Sequence, residues 1–283
     1  MVSAEIYVNG SYQPLDRPAL TARDRAVLFG AAVYEGVKVV RRRPLFLEQH
    51  LARLAESAAA LAIASPWSEK LAREVLGRLY AAGAPPESIA RLFVTAGEAG
   101  GGAIALAWID PLPDRVGPGT PSWRLVCHPE RVVPYRPDVK HTNRLAHGRA
   151  RALAREAGAD DALLVHRDGW VLEGTASNVF FFESDTLHTP EIGCGILAGI
   201  TREMALALAP ACGFKTVEGR YPPAVVGAAD ECFLSFTSAG IQPVAALDGA
   251  ELPAPVPGPR TTRLQAAYDA RVEEALAATP ELP

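Results

Sequence analysis

The sequence predicts two domains of mixed helix and strand: an α+β domain over residues 1–113 and a larger α/β domain over 123–283, joined by a linker at 114–122. Three observations carry this reading. With 283 residues, 49% of them hydrophobic, the chain is long enough for two cores. Apolar runs of strand length alternate with stretches whose apolar residues recur at spacings of three and four. The stretch "DPLPDRVGPGTP" packs four prolines and two glycines into twelve residues, the sharpest break in the chain.

The elements follow in order. "IYVNGSYQPL" reads as a β-hairpin, because Asn9-Gly10 supplies the two positive-φ residues of a tight turn. Leu47, Leu51, Leu54, Ala58 and Leu61 form the stripe of an amphipathic helix, and a second helix follows Ser68 and stops by Gly83. "ARLFVTAG" and "AIALAWI" read as buried strands. Beyond the linker come a strand "WRLVCH", a helix from Leu145 to Ala157, a hairpin "ALLVHRDGWVLEG" turning at Asp168-Gly169, a strand "NVFFFE", a helix after Thr201, a strand "ECFLSF" and a last helix from Thr261.

Composition excludes several classes. A net charge of -4 and a pI near 5.9 provide no basic surface for nucleic acid. The N-terminal residues lack a basic region followed by an apolar one, and no segment approaches the ~18 uninterrupted apolar residues of a membrane span, so a cytoplasmic location is expected. Cys127, Cys194, Cys212 and Cys232 lie far apart without a CxxC pair, which reads as buried thiols rather than zinc ligands or disulfides. The six histidines, His50, His141 and His147 among them, show no metal-ligand spacing, and "GEAGGGA" lacks the Gly-Lys-Ser/Thr of a P-loop.

Lysine is the informative residue. The chain has four lysines among 28 basic residues, so each survivor of this arginine bias invites a chemical reason. A lysine amine can lose its proton and attack a carbonyl to form a Schiff base, and arginine cannot. Lys70 and Lys215 sit in solvated contexts. Lys140, in "PDVKHTNRLAHGR", has chemistry downstream: Glu173 in "LEGTASNVFFF" is a carboxylate among small residues that leave room for a flat ligand. "GILAGITREMALALA" then runs from a glycine turn into a helix whose first amides, Ile200 and Thr201, favour phosphate.

On these residues the chain resembles the fold type IV pyridoxal-phosphate enzymes, which include D-amino-acid transaminases, branched-chain aminotransferases and aminodeoxychorismate lyases. The resemblance covers nearly the whole chain and implies their two-domain fold with pyridoxal 5′-phosphate in the cleft between the domains. "DRAVLFGAAVYEGVKVV" is similar to the N-terminal signature of the family, and "FLEQHLARLAESAAAL" to the helix whose arginine, here Arg53, binds the cofactor phosphate. The resemblance makes Lys140 the Schiff-base lysine and Glu173 the partner of the pyridine nitrogen, with Ser177, Asn178, Ile200, Thr201 and Thr237 on the cofactor. Tyr34, Lys38, Arg144 and Ser238 then face the substrate. It further implies a homodimer acting on a small amino acid and a 2-oxo acid.

Within the family, "KHTNR" spaces Lys140 and Asn143 as in D-amino-acid transaminases and lyases rather than in branched-chain enzymes. Lys38 and "EGTASNVF" are closest to the D-amino-acid transaminases. A D-amino-acid donor is therefore the first expectation, with aminodeoxychorismate lyase, L-branched-chain aminotransferase and a non-catalytic cofactor-binding protein as alternatives. One departure stands out: the carboxylate-binding arginine of the D-amino-acid enzymes is replaced by Ala96, leaving Lys38, Arg144 or the run Arg41 to Arg43 to take its place. Phe236, where relatives are often small, points to a reshaped pocket.

Overall fold

The computed structural model describes residues 5–113 and 120–282. Strands β1 (Glu5–Val8) and β2 (Ser11–Pro14) turn at Asn9 and Gly10, whose φ angles of 43° and 91° are those the Asn-Gly pair adopts readily. A short helix α1 (Arg25–Phe29) begins at Asp24, whose carboxylate accepts from the Ala26 amide and the Thr95 hydroxyl. There follow β3 (Ala32–Val40), the two-residue β4 (Arg43–Pro44), helices α2 (Leu47–Ala60) and α3 (Glu69–Ala81), and strands β5 (Ser88–Thr95) and β6 (Ile104–Pro111). The six strands form one antiparallel sheet in the order β2-β1-β6-β5-β3-β4. Its buried face, with Val33, Val37, Leu92 and Ile109, packs against Leu51 and Leu54 of α2 and Leu76 and Leu79 of α3. Ser68 caps α3 as expected, accepting from the Leu71 amide at 3.2 Å.

The second sheet is mixed. Its elements are β7 (Trp123–Val132), α4 (Leu145–Glu156), β8 (Asp161–His166), β9 (Val171–Gly174), β10 (Asn178–Glu183), β11 (Thr186–Pro190), α5 (Ile200–Leu208) and β12 (Lys215–Gly219). The short α6 (Pro223–Gly227), β13 (Glu231–Phe236), β14 (Gly240–Leu247), β15 (Ala250–Glu251) and the long α7 (Pro259–Ala278) complete it. The strand order is β12-β11-β10-β13-β14-β7-β8-β9, with β15 on β14. β7, α4 and β8 form a parallel βαβ unit, and β14 is parallel to β7. β10 is covered on both faces, which is why Phe180, Phe181 and Phe182 read as one apolar run.

Two boundaries shift. α5 starts at Ile200 rather than after Thr201, and α7 at Pro259 rather than Thr261, with the buried carboxylate of Glu231 accepting from the amides of Arg260 (3.1 Å) and Thr261 (2.8 Å). The chain divides into two compact units, and the division is not a single cut. One unit holds Met1–Asp114 with Val139–Asn143 and Val272–Pro283, the other Arg115–Asp138 and Arg144–Arg271. Residues 114–119 of the expected linker lie outside the described residues. Among the described residues no helix is long and apolar enough to cross a membrane.

Gly240, which opens β14, has φ +76°, and a Cβ there would sit 2.5 Å from Cε1 of the buried Tyr268 ring. Gly240→Ala should therefore lower stability by about 1–3 kcal/mol. Gly249, at φ +82° with no neighbour in range, should cost less on the same substitution. Thermal unfolding of the two variants checks this, and equal melting temperatures would refute the packing cause.

Candidate active site

Lys140 is carried by the first sheet although it follows the linker in sequence. β4 pairs only with Val39 and Val40, so the edge of β3 at Ala32–Tyr34 remains for another strand. The segment Lys140–Thr142 takes it: the Tyr34 amide donates to the Lys140 carbonyl (3.1 Å), His141 bridges Val33, and the Thr142 amide donates to the Ala32 carbonyl (3.0 Å). The Lys140 amide in turn donates to Ser57 Oγ on α2 at 3.1 Å. The backbone of the lysine is thus fixed on both sides, and its Nζ lies 5.0 Å from the centroid of the Tyr34 ring.

Strand alternation divides β3 between two tasks. Glu35 points to the helices and is fully buried; Tyr34, Gly36 and Lys38 point to the other, half-buried face. Spacings of three and four put His50, Arg53 and Ser57 on one face of α2. The Glu35 carboxylate accepts from Arg53 Nε (2.7 Å) and Nη2 (2.9 Å) and meets His50 Nδ1 at 2.7 Å. Burial alone would raise the Glu35 pKa, but His50 and Arg53 outweigh it and hold the carboxyl down to about 2. Burial lowers His50, against the pull of Glu35. Arg53, expected at the phosphate, is therefore half of a buried ion pair whose other half the sequence does not single out.

The face shared with Tyr34 and Lys38 also carries Arg91 and Phe93 of β5 and Trp108 of β6. Gly36 lies opposite Arg91, and a Cβ there would come within 3.0 Å of Arg91 Nη1, so the glycine makes room for the guanidinium. Arg91, a cation the sequence reading did not single out, pairs with Asp110 of β6 at 2.8 Å. Its signal was the strand alternation that places it on the Tyr34 face. Ala96 is buried, and the guanidinium beside its carbonyl and that of Gly97 belongs to Arg25. The run Arg41 to Arg43 is engaged elsewhere: Arg41 pairs with Glu273 at 2.8 Å, and Arg42 and Arg43 with Glu281 at 3.8 and 3.7 Å. Those three are ties to the C-terminal residues.

The second unit holds the remaining predicted residues. Glu173 is the penultimate residue of β9, and its Oε2 accepts from Asn178 Nδ2 (3.0 Å) and the Leu197 amide (3.3 Å). Asn178 also donates to the Leu197 carbonyl at 2.9 Å, so its amide fastens the carboxylate of β9 to the turn before α5. A Cβ on Gly199 would fall on Asn178 Oδ1, and only glycine allows that approach. Gly199 offers α5 no capping side chain, which leaves the N-terminal amides at Ile200 and Thr201 to other acceptors. The buried Thr201 hydroxyl bonds to that of Tyr268, which burial pushes up to about 12. Thr237 and Ser238 stand half-buried in the turn between β13 and β14. The Arg144 guanidinium donates to the Thr175 carbonyl, bracing the loop after β9. Thr175 is held by Asp161 through its amide (3.2 Å) and its hydroxyl (2.5 Å).

The residues present fit pyridoxal phosphate. The buried Ser177 Oγ finds no hydrogen-bond partner among the described residues, the helix N-terminus of α5 lacks a side-chain cap, and a cation, a carboxylate and an amine of the required kinds are present. Among the described residues no group of three or more His, Cys, Asp or Glu side chains is placed to hold a metal ion. The four cysteines are free thiols, and burial pushes Cys232 up to about 12, as expected of an inert core thiol.

Comparison with known proteins agrees. The family model described as amino-transferase class IV matches residues 32–247. A putative branched-chain-amino-acid aminotransferase of Methanocaldococcus jannaschii is 30% identical, over 87% of this chain and 88% of its own length. The D-alanine aminotransferase of Bacillus licheniformis is also 30% identical, over 93% and 95%. The crystal structure of the branched-chain aminotransferase of Thermoproteus uzoniensis superposes with a TM-score of 0.90 at 24% identity, covering 99% of this chain and all of that one. The chain belongs to the class IV aminotransferases, enzymes that work with pyridoxal 5′-phosphate. The expected two-sheet fold of that class is the fold observed.

The Glu35 pair gives stability a pH dependence with a definite sign. Glu35 and His50 both have folded pKa values below their unfolded ones of 4.5 and 6.5, so the folded chain binds fewer protons. Their contribution is full above 6.5, declines as unfolded His50 protonates, and is lost as pH falls through 4.5 towards the folded value of about 2. Melting temperature should fall as pH drops from 7, at first through His50, and Glu35→Gln should flatten the part of the slope below pH 4.5, where Glu35 is the source. Glu35→Ala should cost about 3–5 kcal/mol, since it leaves Arg53 buried without its anion. An acid slope unchanged in Glu35→Gln would exclude Glu35 as its source.

Proposed function

We propose that this chain transfers the amino group of an amino acid, by preference a D-amino acid, to a 2-oxo acid, with Lys140 as covalent anchor for the cofactor and as proton carrier. The observation that carries the reading is the placement of the Lys140 amine: its backbone is bonded to Tyr34 and Ser57, and Nζ stands over the Tyr34 ring. When bound, pyridoxal phosphate supplies an electron sink for the charge left at the substrate Cα after deprotonation. Lys140 Nζ takes the proton from Cα and delivers it to the neighbouring carbon, general acid–base work worth typically ~10²–10⁴-fold. An amine does this because it gives up its proton readily, whereas a guanidinium does not.

Glu173 keeps the pyridine nitrogen protonated, and Asn178 and the Leu197 amide hold its carboxylate for the purpose. Arg53, the α5 amides of Ile200 and Thr201, and the hydroxyls of Ser177 and Thr237 meet the phosphate. On the substrate side stand Tyr34, Lys38, Arg144 and Ser238, with Lys38 or Arg144 as the carboxylate-binding cation where Ala96 supplies none. The D hand is favoured by the short Lys140 to Asn143 spacing and by the Bacillus licheniformis relative. The second reading, an L-branched-chain donor, is favoured by the equal identity of the Methanocaldococcus jannaschii relative. Composition supports a cytoplasmic enzyme. A second copy of the chain is the natural cover for Val27, Leu28 and Phe29, consecutive apolar residues of α1 exposed by 58%, 55% and 71%.

Borohydride treatment of the holoenzyme followed by peptide mass spectrometry should place a phosphopyridoxyl group on Lys140. Its appearance only on Lys38, Lys70 or Lys215 would sink the assignment. Glu173→Gln should retain cofactor and slow turnover by at least ~10²-fold, and near-normal rates would refute that role. Half-reactions with D- and L-amino acids, followed by cofactor absorbance, decide the hand of the donor; faster conversion by L-leucine or L-valine than by any D-amino acid would establish the second reading.

A further inference from the structure

The outward face of the first sheet carries a continuous stripe of aromatic rings that begins at the reactive amine. Lys140 Nζ stands over Tyr34, the Tyr34 and Phe93 centroids are 5.1 Å apart with planes at 24°, and Phe93 and Trp108 are 4.8 Å apart at 31°. Tyr34 lies opposite Phe93 in the β3–β5 register, and Trp108 opposite Arg91 in the β5–β6 register, so the rings run diagonally across three strands. The far end is fixed. Asp110 accepts from Trp108 Nε1 at 3.0 Å and from Arg91 Nε at 2.8 Å, which prevents the indole from turning away.

Cross-strand aromatic pairs stabilise sheets, so a purely structural stripe is the plainer explanation. The distribution of rings argues against it. β3, β5 and β6 build their buried face from aliphatic residues such as Val33, Val37, Leu92, Val94, Ala107 and Ile109, and place every ring on the other, half-buried face. Tyr34 and Trp108 each turn one face to Phe93. Ring edges carry partial positive charge and take the face of another ring in a T-shaped contact, a gain that an aliphatic group does not share.

We propose that Phe93 and Trp108 are specificity-determining residues: with Tyr34 they form the wall along which the substrate side chain lies, and they select amino acids with an aromatic side chain. The inference rests on the aminotransferase reading, with Lys140 as the amine that reacts at Cα. A Cα within reach of Nζ sends its side chain first to Tyr34 and then to Phe93. A methyl group reaches neither Phe93 nor Trp108, while a benzyl or indolylmethyl group spans the stripe.

The test is a substrate series of one hand, whichever reacts, on the wild-type holoenzyme and on Trp108→Leu and Phe93→Leu. The wild type should show kcat/KM for phenylalanine at least ~30-fold above alanine and ~3-fold above leucine. Each variant should lose ~10-fold on phenylalanine and stay within ~2-fold on alanine. Calorimetric titration of the wild type adds a reading independent of turnover, with 3-phenylpropanoate expected to bind at least ~10-fold more tightly than propanoate. That titration and the wild-type series decide the matter even where a variant fails to fold. Leucine or valine outrunning phenylalanine, or equal losses on alanine and phenylalanine, overturns the wall while leaving transamination intact. Failure of every amino acid of either hand overturns the aminotransferase reading itself, and the wall with it.

Discussion

β3 is nine residues long, yet its outer neighbour β4 pairs with only two of them, because the chain turns at Arg41 and Arg42 with positive φ and enters α2 at Leu47. The unpaired edge at Ala32–Tyr34 has backbone groups that need partners. Residues 140–142 provide them, and this edge pairing explains why a segment beyond the linker clusters with the first unit. The position of the Lys140 amine then follows from a backbone ladder rather than from a loop. Lys140 inherits the stiffness of a sheet whose core includes Val139 beside it.

The same strand buries a carboxylate on its opposite face. An isolated ionised Glu35 would be very costly there, and burial would sooner neutralise it. Two cationic or hydrogen-bonding partners one helical turn apart on α2 change the balance, since the bidentate Arg53 contact and the His50 contact satisfy both oxygens. The pair orients the Arg53 guanidinium by its Nε and Nη2 edge. It also makes the registry of α2 on β3 specific: a slide of one residue would leave the charge unpaired. α2 in turn presents Ser57 to the Lys140 amide, so the buried pair and the edge strand fix the same lysine from two directions.

Much of this was legible because the local signals were local. The Asn9-Gly10 turn, the Ser68 cap and the α2 stripe are each written within one short stretch of sequence. Lys140 stood out chemically, and Glu173 and the start of α5 stood out by their glycine surroundings. What was hidden depends on distant partners. The partner of Arg41 is 232 residues away, so the run looked like a solvated charge block. Glu35 reads as one acid in an apolar strand until α2 lies over it. The bonds of Asn178 to Glu173 and to the Leu197 carbonyl join residues up to 19 positions apart. β14 escaped notice because Pro243 sits within it, in a strand flanked on both sides, and a proline there normally argues against a central strand; the register shifts between Val244 and Ala246.

The groups proposed for the chemistry and those proposed to choose a substrate are held differently. Lys140 and Glu173 are each fixed by two or more bonds to neighbouring backbone or side chains, and each sits against a buried core. Tyr34, Lys38, Arg91, Phe93 and Trp108 project from the outward face of the first sheet, where alternation lets their identity change without disturbing Val33, Glu35 or Leu92 behind them. A sheet with one face committed to packing and one to recognition can exchange substrates while keeping its reactive groups in place.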